Sequence, residues 1–403
     1  MSRHDLVVFG ATSFVGQILT RRLVERLGDG ADGSWAIAGR NADKLATVAA
    51  ETGCAAPQIV ADALDADDMR DLVASTKVVV STVGPYAQYG SELVAAVAAE
   101  GIGYCDLTGE PHWMRAMLDQ HGETAVESGA RIVHACGFDS IPSDLGVWFT
   151  QQQAQERFGE PCTRIGARVK AMKGGPSGGT VATMMNSLAE AGDDPALRKV
   201  MGDPYAIAPE GMRTGPRQPN VTVPERDELS GQWVAPFVMA GTNTRVVHRS
   251  HALLGRPWGD DFLYDESMLM GDGLVGAAKA TALAGGLAGF TGLAMFGPGR
   301  KVLGMVLPDP GEGPSPEAQE QGFFDIRLFG VTAGGHEIQT KVTGDRDPGY
   351  GSTAKMLAEV ARLLVETPKG QGAVGSLTPS TAFGDELIDQ LVEHAGLTFT
   401  VVD

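Results

Sequence analysis

The chain has 403 residues, 43% of them apolar and 20% charged. That composition suits a folded protein able to bury a sizeable core. Acidic residues outnumber basic ones 50 to 32, giving a formal charge of −18, and this excludes a protein whose main partner is nucleic acid, because no cationic excess meets phosphates.

The four cysteines, Cys54, Cys105, Cys136 and Cys162, form no CxxC pair. A zinc ribbon, a dithiol redox site and a disulfide framework are therefore not expected. Met1 to Asp5 leads straight into an apolar strand. A secretory signal would need a longer apolar stretch, so a cytoplasmic protein is expected.

Leu6 to Phe9 reads as a buried parallel strand. Gly10-Ala11-Thr12-Ser13-Phe14-Val15-Gly16 follows, and Gln17 to Leu27 then has Ile18, Leu19, Leu23, Val24 and Leu27 at helical spacing. Strand, glycine turn and helix stand in the order of dinucleotide binding. Gly10 permits the sharp turn and Gly16 permits close packing of helix on strand. The helix N-terminus offers free N–H groups to a pyrophosphate. Thr12, Ser13, Phe14 and Val15 complete this expected cofactor-binding turn. Ser13 replaces the middle glycine of the usual pattern; its hydroxyl donates, but its side chain takes up room.

Trp35 to Ala38 is the second strand and ends at Gly39-Arg40. Sites that prefer NAD carry an acidic residue here. Arg40, with Lys44 one turn further on, suits a 2′-phosphate instead, so NADP(H) is the expected cofactor. The alternative is a surface charge. Gln58 to Ala61 is a third strand ending at Asp62. That carboxylate either accepts from an adenine amino group or caps the helix Asp67 to Val73. Lys77 to Val83 is the fourth strand and runs into Gly84-Pro85-Tyr86, at the end of the sheet where ligands bind.

Ser91 to Glu100 is helical, Gly103 to Leu107 is a fifth strand, and His112 to Ser128 is helical. Arg131 to Cys136 is a sixth strand, ending in Gly137-Phe138-Asp139-Ser140. Val83, Gly84, Pro85, Cys136 and Gly137 are thereby expected against the cofactor. Six strands alternating with helices predict an α/β protein whose residues 1–150 form a Rossmann-type doubly wound parallel sheet.

After residue 150 the alternation stops. Arg164 to Ala171 looks like a strand, Lys173 to Thr180 a glycine-rich loop and Val181 to Glu190 a helix. Residues 203–232 read as surface loop. Asn243 to Ser250 is strand-like. Phe324 to Val331 and His336 to Val342 make a hairpin across Ala333-Gly334-Gly335. Ser352 to Val365 is a helix. The expected units are an α+β substrate and dimerisation domain over 151–345 and a helical segment, 346–403, packing back on the first domain.

The second unit includes an apolar segment, 273–306. Within it, Ala280 to Phe296 holds 17 residues without a charge, short of the about 20 that cross a membrane. Gly285 and Gly289 have the spacing of close helix–helix contacts. A buried or subunit-interface helix, the wall of an apolar substrate site, a peripheral membrane or lipid contact, and a true span remain as readings.

The stretches Gly10–Gly16, Ala38–Arg40, Ser81–Gly90, Tyr104–Glu110 and Cys136–Gly146 together resemble the saccharopine dehydrogenase-like oxidoreductases. Within them the chain is most similar to the actinobacterial branch that holds the trans-acting enoyl reductases. Pro310–Ser315, Asp347–Ala354 and Leu377–Ser380 fit as well. The resemblance covers nearly the whole chain. It implies an NADP-binding Rossmann domain, a second α+β domain that often forms dimer contacts, and hydride transfer to a carbon–carbon double bond of a polyketide chain. Saccharopine dehydrogenases need cationic groups for several carboxylates, and the loops after strands four to six hold no arginine cluster.

Enoyl reduction needs an acid to protonate the α-carbon. Tyr86 is the first candidate donor, the alternative being a ring packed under the cofactor. Asp139 with Ser140 is the second, unless either caps the helix near Pro142. Cys136 has no evident partner base, and a buried thiol is the better reading. The eight histidines give no convincing metal site. Arg245, His248, Arg249 and Arg256 either meet an anionic carrier group or form a surface charge run. The leading expectation is an NADPH-dependent oxidoreductase acting on a hydrophobic or carrier-bound acyl substrate, as a homodimer. A saccharopine-type amino-acid dehydrogenase and a non-catalytic lipid-associated protein are the alternatives.

Overall fold

Successive side chains of β1 (His4–Phe9) leave opposite faces of a sheet. Leu6 and Val8 enter one apolar layer, with Leu19, Leu23 and Val80, while Val7 and Phe9 enter another, with Leu72, Val97 and Met117. Burial on both faces is the mark of a parallel sheet covered by helices on each side. The computed structural model describes residues 3–175, 183–185, 187, 192, 194–295, 297–303, 313–367 and 369–402. Much of the expected helix Val181 to Glu190, the stretches 176–180 and 310–312, and Phe296 lie outside the described residues.

The first sheet contains β1, β2 (Trp35–Gly39), β3 (Gln58–Val60), β4 (Thr76–Ser81), β5 (Gly103–Asp106) and β6 (Arg131–Val133). A further strand, β13 (Gly375–Leu377), joins its edge, giving the order β13-β6-β5-β4-β1-β2-β3. All neighbours are parallel. The order reverses between β1 and β4, the point at which such sheets open a ligand crevice. The connecting helices are α1 (Phe14–Leu27), α2 (Ala42–Thr52), α3 (Ala66–Ala74), α4 (Tyr86–Tyr89), α5 (Ser91–Glu100), α6 (Pro111–Ser128) and α7 (Ile141–Phe158).

The second sheet is mixed. It contains β7 (Cys162–Lys173), β8 (Glu225–Arg226), β9 (Trp233–Pro236), β10 (Leu263–Gly271), β11 (Phe323–Thr332), β12 (Glu337–Gly344) and β14 (Leu397–Val402), in the order β14-β12-β11-β7-β10-β9-β8. β11 and β12 form the expected hairpin. The last segment is more than helical: besides helix Thr353–Glu366 it supplies β13 to the first sheet and β14 to the second.

The expected strand Asn243 to Ser250 is instead part of a helix, Ala240–Leu253. Residues 245–252 are all buried. A helix covered on nearly every side shows no apolar stripe, and the β-branched pair Val246-Val247 then mimics a strand. Residues 203–232 are not wholly surface loop, since Ala206, Ile207 and Ala208 are buried.

One helix, Gly273–Ala294, is long and apolar enough to cross a membrane by length and composition. It is not buried in this chain: 11% of its apolar window is covered, and Leu274 is 90% exposed.

Candidate active site

The glycine turn is built by sterics. Gly10 has φ +89°, and a Cβ there would lie 2.6 Å from Val83 Cγ2. A Cβ on Gly16 would lie 2.1 Å from the Gly10 carbonyl oxygen, so α1 packs against the turn as only glycine permits. Ser13 folds its hydroxyl back: Oγ accepts from Gly16 N at 2.9 Å and lies 2.9 Å from Thr82 Oγ1. It caps α1 and ties the turn to the end of β4. The N–H groups of Phe14 and Val15 open the helix and have no acceptor within it. They form the anion-binding end that a pyrophosphate needs.

A cleft of about 340 Å³ opens beside this turn. Gly10, Thr12, Ser13, Arg40, Lys44 and Asp62 line it, with Val83 and Gly84 on the β4 side. Arg40 and Lys44 are exposed, and neither has an acidic partner among the described residues. Asp62 does not cap α3; Asp65 does, accepting from Asp67 N at 2.8 Å. The Asp62 carboxylate instead accepts from Leu64 N at 3.0 Å, at the cleft edge.

Other expected cofactor residues do not line the cleft with their side chains. Val15 and Gly16 are buried in α1. The ring of Phe14 packs outward from the turn, and Pro85 begins the short helix α4. Gly137 faces helix Thr353–Glu366, where a Cβ would lie 2.8 Å from Thr353 Cγ2. Cys136 is corrected to a core residue: it is fully buried, its Sγ donates to Val133 O, and burial pushes the thiol well up.

The expectation that Tyr86 donates a proton to substrate is corrected. Its ring is buried beside Trp113, 5.3 Å between centroids. Its hydroxyl donates to Ser81 O at 2.9 Å and accepts from Leu107 N at 3.3 Å. Glu110 accepts from the N–H groups of Tyr86 and Ala87. These bonds hold the loops after β4 and β5 together and leave no phenolic proton for a ligand. Below them Asp106 accepts from Thr108 N, Ala135 N and the Tyr104 hydroxyl, and lies 2.7 Å from His134 Nδ1.

The loop after β6 holds the second candidate pair. Ser140 has φ +116°, a sparsely populated conformation for a residue with a side chain. Its hydroxyl is buried and donates to Asn243 Oδ1 at 3.1 Å. No side chain caps α7, so the capping reading fails for Asp139 and Ser140 alike. Asp139 is only partly covered, beside Gly109 of the β5 loop. Withdrawal from water, with the Glu266 carboxylate nearby, raises it to about 7.

Three residues behind Asp139 escape sequence reasoning. Glu266 of β10 is 3% exposed. Tyr264 Oη donates to its Oε1 at 2.6 Å, and Asn243 Nδ2 donates to its Oε2 at 2.9 Å. The available signal is an acidic pair, Asp265-Glu266, set inside an otherwise apolar strand.

The run Arg245 to Arg256 is no anion-facing edge. Arg245 and Arg249 are buried on backbone carbonyls of Gly241, Met201, Ile207 and Ser376. Burial lowers His248 to about 3 and His251 to about 4, so both are neutral. Arg256 pairs with Asp260.

No family model matches the chain. A trans-acting enoyl reductase of Mycobacterium bovis is 35% identical over 401 residues, 96% of this chain and 95% of that protein. A Mycobacterium tuberculosis protein whose name gives the same activity provisionally is 39% identical over 405 residues, with the same coverage. Among solved structures, a saccharopine dehydrogenase of Saccharomyces cerevisiae has TM-score 0.50 at 12% identity over 99% of this chain and 100% of that one. A homospermidine synthase of Legionella pneumophila has TM-score 0.53 at 10% identity, covering 99% of this chain and 92% of that one. These two likenesses concern the fold.

Proposed function

Since the chain belongs to the trans-acting enoyl reductase family and is a nicotinamide-dependent oxidoreductase, we propose that it reduces the carbon–carbon double bond of a hydrophobic acyl thioester with NADPH, using Asp139 as the acid. The observation that carries this reading is the Asp139 carboxyl. It stands in the loop after β6, at the end of the sheet where a nicotinamide lies, and is raised to about 7. An acid with that pKa holds a proton at neutral pH and releases it readily.

The residues present fit the cofactor. The glycine cradle and the free N–H groups of α1 suit its pyrophosphate. Asp62 sits where an adenine amino group would donate. Arg40 and Lys44 have no acidic partner among the described residues and suit a 2′-phosphate. When bound, the reduced nicotinamide supplies a hydride to the substrate β-carbon. The electron pair of the double bond moves toward the α-carbon and the thioester carbonyl. Asp139 gives its proton to the α-carbon, leaving a saturated thioester and a carboxylate that regains a proton from water.

Apolar substrate is supported by what surrounds Asp139. Asp139 Oδ2 lies 3.6 Å and Met239 Cε 3.8 Å from where a Gly109 Cβ would stand, so an apolar side chain borders the carboxyl. The nearby arginines are already engaged: Arg168 with Asp227 and Asp265, Arg245 and Arg249 with carbonyls. None of these three is free to meet the carboxylates of an amino-acid substrate. In this reading residues 1–150 bind the cofactor, 151–345 the substrate and a second copy, and 346–403 join the two. The exposed face of helix Gly273–Ala294, including Gly285, Gly286, Gly289 and Gly292, is mostly small residues. Small residues let helix backbones approach closely, and this reading puts a homodimer seam there.

The test is turnover of a 2-octenoyl N-acetylcysteamine thioester with NADPH. Asp139→Asn should lower kcat by about a hundredfold or more, the range of a lost general acid, with NADPH affinity unchanged. Unchanged kcat removes Asp139 from the chemistry.

A further inference from the structure

Asp347-Pro348-Gly349-Tyr350-Gly351-Ser352-Thr353 sets a capping carboxylate, a proline and two glycines ahead of a helix. They form a π-helical turn, Pro348–Ser352, a rare geometry that recurs at functional sites. The turn is held from within and from outside. Asp347 is fully buried and accepts from Gly349 N at 3.1 Å and Gly351 N at 2.7 Å. A Cβ on Gly322 would lie 2.2 Å from Asp347 Cα, and one on Gly174 would lie 2.8 Å from Pro348 Cδ. Thr353 leaves this turn with its place fixed.

Both branches of the Thr353 side chain meet the loop after β6. Its hydroxyl donates to Pro348 O at 2.9 Å and accepts from Phe138 N at 2.9 Å. The hydroxyl has one proton, so the direction of both bonds is set. Its methyl lies 2.8 Å from where a Gly137 Cβ would stand. The Phe138 ring is closed in by Phe324 of β11, 5.1 Å between centroids. Beyond Asp139, the Ser140 hydroxyl donates to Asn243 Oδ1. Asp139 lies between these two ties, and its carboxyl makes no hydrogen bond of its own among the described residues. The backbone on either side therefore decides where that carboxyl stands. Ser140, at φ +116°, agrees with this, since such a conformation persists only where its surroundings over-determine it.

We propose, on the reading of Asp139 as the acid, that Thr353 is a positioning residue for the reduction: its hydroxyl fixes the Phe138 backbone and so aims the neighbouring carboxyl at the substrate α-carbon. Thr353 touches neither substrate nor cofactor in this role. The segment that aims the acid then comes from the far end of the chain, 215 positions from the loop it holds.

The experiment measures kcat, KM and NADPH affinity of the full chain with the 2-octenoyl N-acetylcysteamine thioester. Thr353→Val keeps the shape and removes the hydroxyl. It should lower kcat about tenfold to a hundredfold, the effect of misplacing a reacting group by about an ångström, with KM and NADPH affinity within about twofold. Thr353→Ser keeps the hydroxyl and should bring kcat back to within about threefold of wild type. In an Asp139→Asn background Thr353→Val should change kcat by less than about twofold, because nothing is left to position. Without substrate, the Phe138 amide should exchange its hydrogen about tenfold faster or more in Thr353→Val, and near the wild-type rate in Thr353→Ser. Should Thr353→Val fail to fold, Thr353→Ala removes the same hydroxyl and is read in the same way; an unprotected Phe138 amide in the wild type overturns the tie by itself. Unchanged kcat or unchanged exchange in the folded variant, or an equal loss of kcat in both backgrounds, overturns the role of Thr353 and leaves Asp139 as the acid. Wild-type kcat in Asp139→Asn overturns the reading of Asp139 itself.

Discussion

The ring of Phe14, at the first position of α1, meets the ring of Tyr350 edge-on, with centroids 5.0 Å apart. Tyr350 belongs to a π-helical turn, Pro348–Ser352, held by Asp347, whose carboxylate accepts from Gly349 N and Gly351 N. Thr353, just beyond, accepts from Phe138 N at 2.9 Å through its hydroxyl. One short segment thus touches both the glycine turn proposed to hold the cofactor and the loop that carries Asp139.

The glycine turn gives a paired prediction. Gly16→Ala puts a methyl against the Gly10 carbonyl and must push α1 off the strand. Overpacking of this kind costs about 1–3 kcal/mol, and dinucleotide binding should be lost with it. Ser13→Gly removes the cap of α1, for which glycine substitutes at a cost of only about a few tenths of a kcal/mol. It should leave NADPH affinity intact. Fluorescence titration with NADPH and thermal melting check both variants.

Arg40→Ala should weaken NADPH binding about tenfold or more, the worth of a charge-assisted contact to phosphate. NADH binding should change less than about threefold, since the 2′-hydroxyl gives a guanidinium little to hold. Equal weakening of both cofactors would remove the 2′-phosphate from this site.

Asp139 links stability to pH. Its folded value of about 7 exceeds the ordinary 3.8, so the folded state favours the protonated carboxyl. Relative to a permanently neutral side chain the carboxyl costs nothing below pH 4, and a penalty on the folded state grows as pH rises from 4 toward 7. Wild type and Asp139→Asn should therefore unfold alike near pH 4. By pH 8 the asparagine variant should be more stable, by up to a few kcal/mol. Denaturant titrations at the two pH values measure the difference.

The proposed dimer seam is checked by sedimentation. Gly289→Leu on the exposed face of helix Gly273–Ala294 should convert dimer to monomer without lowering the melting temperature of the fold, because a Cβ at Gly289 meets nothing within 4 Å in the single chain. Vesicle binding by the wild type that this substitution abolishes would assign the helix to lipid instead.

The first sheet was legible because its information is local. Each strand is an apolar run, each helix follows at short distance, and the cleft residues Gly10, Ser13, Arg40 and Asp62 all stand at strand ends. The site chemistry was less legible because it is assembled over long separations. Ser140 and Asn243 are 103 positions apart, and no local pattern joins them. Tyr86 misled because residue type reveals a phenol but not its orientation; the β4 and β5 backbone claims its hydroxyl. The helix Ala240–Leu253 was hidden by its own burial, which erases the contrast that periodicity needs.

The placement of β13 and β14 bears on biogenesis. The nascent chain supplies six strands of the parallel sheet early, yet the edge strand of each sheet comes from its last thirty or so positions. The first sheet lacks its edge strand until synthesis passes residue 377 and the second until it passes residue 402, and before those points β6 and β12 each keep an unpaired side able to pair with another chain. A ribosome that stops before β13 releases a product with the cofactor turn and the acid loop already encoded and two unguarded sheets. Proteolysis and chaperone capture should therefore discriminate sharply between a chain that includes β13 and β14 and one cut before them.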